Sequence, residues 1–159
     1  KKYNLENTCT VLVLQDVVDP YNVGAIFRTA NAFAVNEILL VGKTPIPPNE
    51  QISKNSMGLE RSTLWSHHHD FEEVIKNLRS EAFRIVGLEL INDSIDINEI
   101  SFEPKTAFVL GNERVGIYKK NIKQCDVCVH IQMFGKGSSL NVSVAAAIAL
   151  HARISKLRI

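Results

Sequence analysis

Three short clusters carry the side chains able to do chemistry: Asn22-x-Gly24-x-x-x-Arg28, Gly111-Asn112-Glu113-x-x-Gly116 and Ser139-Leu140-Asn141. Amides and hydroxyls beside glycines suit turns that hold a polar group against open backbone, and Arg28 and Glu113 add one charge of each sign. A guanidinium with a pKa above about 12 is a poor resting base, so Arg28 suits gripping a phosphate or stabilising a developing alkoxide. Glu113 is the rival base by residue type, although an ordinary carboxylate is weak toward a reluctant hydroxyl. The plain structural alternative is that Asn22 and Asn141 cap helices while Glu113 pairs with Arg114.

These clusters need strands to hold them. In the clearest case, a β-branched run through Val129 and Ile131 meets the loop Met133-Phe134-Gly135-Lys136-Gly137-Ser138-Ser139, and an alanine-rich apolar segment follows to Leu150. That is strand, tight loop and buried helix. Ligands of open α/β sheets sit at the carboxyl ends of the strands, which makes this loop the first place to look. Two nucleotide templates fail. A P-loop requires Ser or Thr after its lysine, and Lys136 is followed by Gly137; the turn from Asp19 to Arg28 has one glycine where a dinucleotide fingerprint has three.

Thr10 to Asp16 is almost all apolar, as expected of a strand buried on both faces of a parallel sheet. Asn22 can cap the next helix, whose Val23, Ile26, Phe27, Ala30 and Phe33 follow helical spacing and leave Arg28 and Asn31 off the stripe. Glu37 to Val41 is a second strand. Gly42 to Asn55, with Pro45, Pro47 and Pro48, resists regular structure and is expected to be a surface loop. Leu59 to Trp65 is a weak strand with Trp65 packing inward. Asp70 to Ser80 is an amphipathic helix with Phe71, Val74, Ile75 and Leu78 inward, capped by an Asp with a carboxylate three residues on. Arg84 to Glu89 and Thr106 to Leu110 are further strands, and Ile91 to Glu103 between them is mostly loop. Strand and helix alternate without repeats, so the fold class is α/β, a mostly parallel sheet flanked by helices with right-handed crossovers.

The 159 residues, 45% hydrophobic, suit a single domain over 1–159. A net charge of +1 from 18 basic and 17 acidic residues restricts any nucleic-acid surface to a local patch. No apolar run approaches the roughly 20 residues that span a bilayer, and Lys1 to Glu6 lacks a signal-peptide core. A soluble, cytoplasmic protein is expected, and the start at Lys1 in place of Met adds the expectation of a trimmed chain or a piece of a longer one. Cys125-x-x-Cys128 with His130 resembles part of a zinc site, but a closed site needs four ligands, and Val127, Val129 and Ile131 alternate as one face of a strand. No metal is expected. His67-His68-His69 is taken as a solvated loop before the Asp70 cap.

Together, and in this order, the three clusters closely resemble the signature motifs of the SpoU/TrmH family of RNA ribose 2'-O-methyltransferases, in the SPOUT superfamily. The resemblance runs from Val11 to Arg153. It implies a sheet core closed by a C-terminal trefoil knot that binds S-adenosyl-L-methionine in a bent form. It implies tRNA or rRNA as substrate, and a homodimer with the active site near a two-fold interface of the first-motif helix and the last helix. Carried across residue by residue, it assigns Arg28, Asn22, Glu113, Ser139 and Asn141 to catalysis, the arginine being proposed in the family to activate the 2'-hydroxyl. It assigns the donor to Leu110, Gly111, Asn112, Gly116, Ile131, Met133, Ser139 and Leu140, within a knot built from the loops Leu110 to Gly116 and Ile131 to Asn141 and closed by a helix from Ser139 to Ile154. Adenine needs an apolar slot with backbone donors and acceptors, which Ile131, Met133, Leu140 and a glycine-rich turn supply. The donor's methyl is already activated, so what remains is in-line orientation and activation of a hydroxyl.

Gln132 departs from the pattern, standing where family members often have proline, which alters loop rigidity more than chemistry. Nine residues precede the first strand, fewer than in members whose extensions grip tRNA, so the RNA target stays open. For the dimer, Ala145, Ala146, Ala147 and Ala149 allow close helix approach, and Phe27 or Phe33 would be an apolar patch if uncovered. Two other classes compete. A non-catalytic RNA-binding module of the same fold would have lost Arg28 or Asn141, and a flavodoxin-like domain would show a flavin or phosphate glycine pattern.

Overall fold

The apolar runs assemble into one parallel sheet in the computed structural model, which describes residues 5–157. Its strands are β1 (Cys9–Gln15), β2 (Glu37–Val41), β3 (Trp65–His68), β4 (Arg84–Leu88), β5 (Ile95–Asp96), β6 (Lys105–Leu110) and β7 (Val127–His130). Their order is β3-β2-β1-β6-β4-β7-β5, with every pairing parallel. Alternate side chains face opposite layers, so each sheet face has its own core. Leu12, Leu14, Ile38, Leu40, Phe108 and Val129 pack under α1 (Pro20–Ala32), α2 (Glu50–Ser56) and α5 (Val142–Lys156). Val11, Val13, Leu39, Ile85 and Val109 pack under α3 (Phe71–Ser80), with Ile122 of the short α4 (Lys119–Ile122) at the edge.

Register places the site. Leu14 pairs with Leu110 and Leu88 with Val129, so β1, β6, β4 and β7 end level with one another and deliver their loops to one edge. The helix ends then aim side chains at that edge. Asn141 caps α5, its Oδ1 accepting from the N–H groups of Ser143 and Val144, so the helix begins at Val142 and not at Ser139. Asp19, followed by Pro20, caps α1. Asn22 is therefore not a cap; it lies inside the first turn and is buried, free to bond elsewhere.

Other expectations are corrected. The proline-rich loop ends at Asn49, which caps α2 through Gln51 N and Ile52 N. Ile52 is buried against Gly24, where a Cβ would overlap the Ile52 carbonyl. The prolines constrain only their own turn. Leu59–Arg61 is a 3-10 turn, and the strand begins where the weak strand was expected to end, at Trp65, which packs on the core. His67 and His68 belong to it and are half-buried: Nε2 of His67 bonds the Gly42 carbonyl at 2.9 Å, and Nε2 of His68 bonds Ser66 Oγ at 2.8 Å. Strand pairing with β2 overrides the solvated-loop expectation. Asp70 does cap α3, and Phe71, Val74, Ile75 and Leu78 are buried as expected. Of the residues considered for an interface, Phe27, Ala146 and Ala149 are buried in the core, and Phe33 is half-buried against His151.

Candidate active site

At the level strand ends, two joined hollows open between the loops. A polar hollow of about 630 Å³ is walled by Asn22, Leu110, Gly111, Asn112, Glu113, Gly116, Ser139, Leu140 and Asn141. A narrower slot of about 120 Å³ is lined by Leu88, Val129, Ile131, Met133 and Leu140. Glu89, Ser138 and Ser139 line both. Every residue expected to hold a donor thus lies on these walls, as do four of the five expected catalytic residues.

A line of hydrogen bonds joins the three sequence clusters. Asn141 Nδ2 donates to Asn22 Oδ1 at 2.9 Å, and Asn22 Nδ2 donates to Glu113 Oε1 at 3.2 Å. Glu113 also accepts from Asp19 N (3.0 Å) and Val18 N (3.1 Å). Because Asn141 Oδ1 is committed to the α5 amides, its NH₂ must face Asn22, and the orientation of both amides follows. Asn141 is a cap and part of the hollow's wall at once, and among the described residues no ion pair joins Glu113 to Arg114.

Burial alone would raise the Glu113 carboxyl; the Asp19 N–H, its own backbone N–H, the Asn22 amide and the Val18 N–H outweigh it and hold the pKa below the usual carboxylate value. A carboxylate so engaged is a poorer base than its residue type suggests. The folded pKa lies below the unfolded one, so its contribution to stability is present above the unfolded value and is lost as pH falls through the folded value. Glu113→Gln should therefore unfold with a shallower loss of stability between about pH 5 and pH 3 than the parent, measured by urea titration. Parallel pH curves would refute this.

The second cluster is braced for shape. Asn112 Oδ1 accepts from Arg114 N and Val115 N, its Nδ2 donates to the Asp16 carbonyl at 2.8 Å, and its backbone bridges to Gly116. A Cβ at Gly111 would overlap Gly116 and Ile117 backbone, and Gly116 has φ +69°. The glycines here are required by close approach and by left-handed backbone. Tyr118 OH donates to Asp16 Oδ2 at 2.7 Å and buttresses the loop from behind.

Arg28 is placed apart. It is exposed on α1, lies outside the walls of both hollows, and no ion pair holds it among the described residues. Ser139 is exposed on the wall. Glu89 was missed from the sequence; its signal was an acidic residue at the carboxyl end of a strand. The cysteines turn away. Cys125 and Cys128 both approach Gly87, while His130 Nδ1 bonds Ser94 Oγ at 2.9 Å. Among the described residues no group of three or more His, Cys, Asp or Glu is arranged to hold a metal, and no helix is long and apolar enough to cross a membrane.

Residues 10–151 match the model of the SpoU rRNA Methylase family. The chain is 29% identical over 147 residues to a 23S rRNA (guanosine-2'-O-)-methyltransferase, RlmB, of Neisseria meningitidis serogroup B, covering 92% of this chain and 58% of that protein. In solved structures it is similar to an RNA 2'-O ribose methyltransferase (TM-score 0.86, 25% identity, 98% of this chain and 59% of the other). It is also similar to an AdoMet-bound rRNA methyltransferase from Sinorhizobium meliloti (TM-score 0.85, 26% identity, 96% and 60%). The chain thus spans under two thirds of the length of these relatives.

Proposed function

The chain belongs to the SpoU rRNA methylase family, and from that premise we propose that it forms a single domain that methylates a ribose 2'-hydroxyl of tRNA or rRNA with S-adenosyl-L-methionine as donor. The observation that carries the reading is the Asn141–Asn22–Glu113 line at the wall of the polar hollow, beside a slot lined mainly by apolar side chains. When bound, the donor supplies a methyl group already activated by its sulfonium. Ile131, Met133, Leu140 and Val129 exclude water around the base, and the braced Gly111–Gly116 turn offers rigid backbone. Asn22 and Asn141, locked in orientation, fix the reacting end, and Glu113 holds α1 against the second loop. Arg28, exposed, acts on the RNA as a phosphate or alkoxide partner.

A trefoil knot belongs to the same reading: the Ser138–Asn141 segment, which follows α4 and the whole of β7, closes on the Gly111–Gly116 loop to line one hollow. A homodimer through α1 and α5 is favoured by the large side chains these helices leave outward: Tyr21 is 49% exposed, Val144 47% and Ile148 36%. They replace Phe27 and the buried alanines as the interface residues. A cytoplasmic location is part of the same proposal.

Calorimetry tests the donor. S-adenosylhomocysteine should bind while NADH and ATP do not; binding of ATP with none of S-adenosylhomocysteine would defeat the proposal. With donor and RNA together, one nucleotide should become resistant to alkaline cleavage, since methylation removes the 2'-hydroxyl that attacks the phosphate. Donor binding without any such position would favour the RNA-binding module. Light scattering on the same preparation should give the dimer mass at micromolar concentration, and an active monomer would remove the interface.

A further inference from the structure

We infer that Glu89 reads the ribose hydroxyls of the donor, as a positioning residue for the reaction proposed above, on which the inference rests. Glu89 directly follows β4, and its backbone N–H donates to the Val129 carbonyl at 3.0 Å, which anchors it to the strand beneath the apolar slot. Its side chain crosses to the second cluster, where Oε2 accepts from Ile117 N at 2.8 Å. A Cβ at Gly116 would overlap the carboxylate, so that glycine makes room for it. Oε1 accepts no hydrogen bond among the described residues. Among the described residues, Glu89 is the one ionisable side chain that lines both the slot and the polar hollow.

The donor's own connectivity then decides what lies beside it. Ribose links the flat base to the charged, reacting end. With the base in the slot of Val129, Ile131 and Leu140, and the reacting end toward Asn22, Glu113 and Asn141, the sugar falls at the join. Two vicinal hydroxyls are donors, and a carboxylate with one oxygen already committed to Ile117 still offers acceptor positions on the other. Two lesser roles compete: attraction of the sulfonium charge from a distance, and a brace for Ile117 alone.

Glu89→Gln separates them, because the amide keeps the Ile117 contact through its oxygen and turns toward the ligand an NH₂ that accepts nothing. Calorimetry would measure S-adenosylhomocysteine and its 2',3'-dideoxy analogue on both proteins, with a thermal melt of each unliganded protein as the folding control. S-adenosylhomocysteine should bind the variant roughly tenfold or more weaker. The dideoxy analogue should bind the parent about that much weaker, and the substitution should then cost it almost nothing further. Equal losses for both ligands would reduce Glu89 to a brace and overturn the inference. So would a loss seen with S-adenosylmethionine but not with S-adenosylhomocysteine, which assigns it to the sulfonium, or no loss at all. A parent protein that binds neither ligand overturns the methyltransferase reading itself, a result distinct from each of these.

Discussion

Arg28→Ala is expected to lower single-turnover RNA methylation by about 100-fold to 1,000-fold while leaving S-adenosylhomocysteine affinity unchanged. The split follows from where the side chain sits. Six residues along α1 from Asn22 is about 600° of rotation, so Arg28 projects about 120° away from the side chain that faces the hollow. It is exposed and forms none of the donor's walls, so on the proposed reading it meets the RNA and not the donor. Arg28→Lys then distinguishes two roles. If the guanidinium acted as a base, lysine would gain rate as it deprotonates near its ordinary pKa of about 10.4. If it grips a phosphate through two N–H groups, lysine keeps the charge, loses the fork and is slow at every pH. The phosphate or alkoxide role is the expected one. A mutant rate climbing about tenfold per pH unit while the parent stays flat would sink it, and so would lost donor affinity in Arg28→Ala.

What the sequence conceals in this chain is mostly where side chains meet. β1, β4, β6 and β7 are legible because strands buried on both faces leave apolar runs with clear ends. The walls of the site follow, since the loops after such strands gather at one edge. Asn22 offers itself as a cap because an Asn before an apolar stripe usually is one; Asp19-Pro20 three residues earlier is the stronger signal. Its real partners, Glu113 and Asn141, lie 91 and 119 residues away. No local pattern announces such pairings. The same holds for Glu89, one acid among many until β4 is placed between β6 and β7. α2 was hidden by Pro45, Pro47 and Pro48, whose effect ends at the Asn49 cap, and the histidines of β3 owe their partial burial to an edge pairing. The resemblance supplied the site residues as a set, yet it did not foresee that one copy of the chain leaves Arg28 apart from the other four.

Arg153→Met should cost about 3–5 kcal/mol of folding stability, although it removes a charge from the protein interior. Arg153 is on α5 with no exposed surface. Its Nε donates to Thr10 Oγ1 at 2.9 Å, Nη1 to the Glu103 carbonyl at 2.9 Å and Nη2 to the Pro104 carbonyl at 2.7 Å, with the Phe102 ring 5.9 Å from the guanidinium carbon. Burial pushes its pKa down from the usual arginine value. A buried ion pair replaced as a whole by apolar side chains is often neutral or stabilising, because every partner goes at once. Here the partners are backbone carbonyls at the entry to β6, which no substitution removes. Methionine would strip the charged donor from each, leaving the Glu103 carbonyl only the Thr106 hydroxyl and the Pro104 carbonyl only the Cys9 N–H, and would leave the Thr10 hydroxyl facing an apolar side chain. Each lost bond to the charged fork costs about 1.5–3 kcal/mol, offset in part by the desolvation of the charge that goes with it. Arg153→Lys keeps the charge but cannot serve acceptors spread around a planar fork, and should fall between methionine and the parent. Arg153 is twelve residues from Asn141, about 18 Å along the helix, so donor affinity of the folded variant should stay near the parent's even as its urea midpoint drops. A methionine variant within about 1 kcal/mol of the parent would mean that the Thr106 hydroxyl and the Cys9 N–H suffice for those carbonyls, and that the clamp between the last helix and the first strand is not what holds α5 in place.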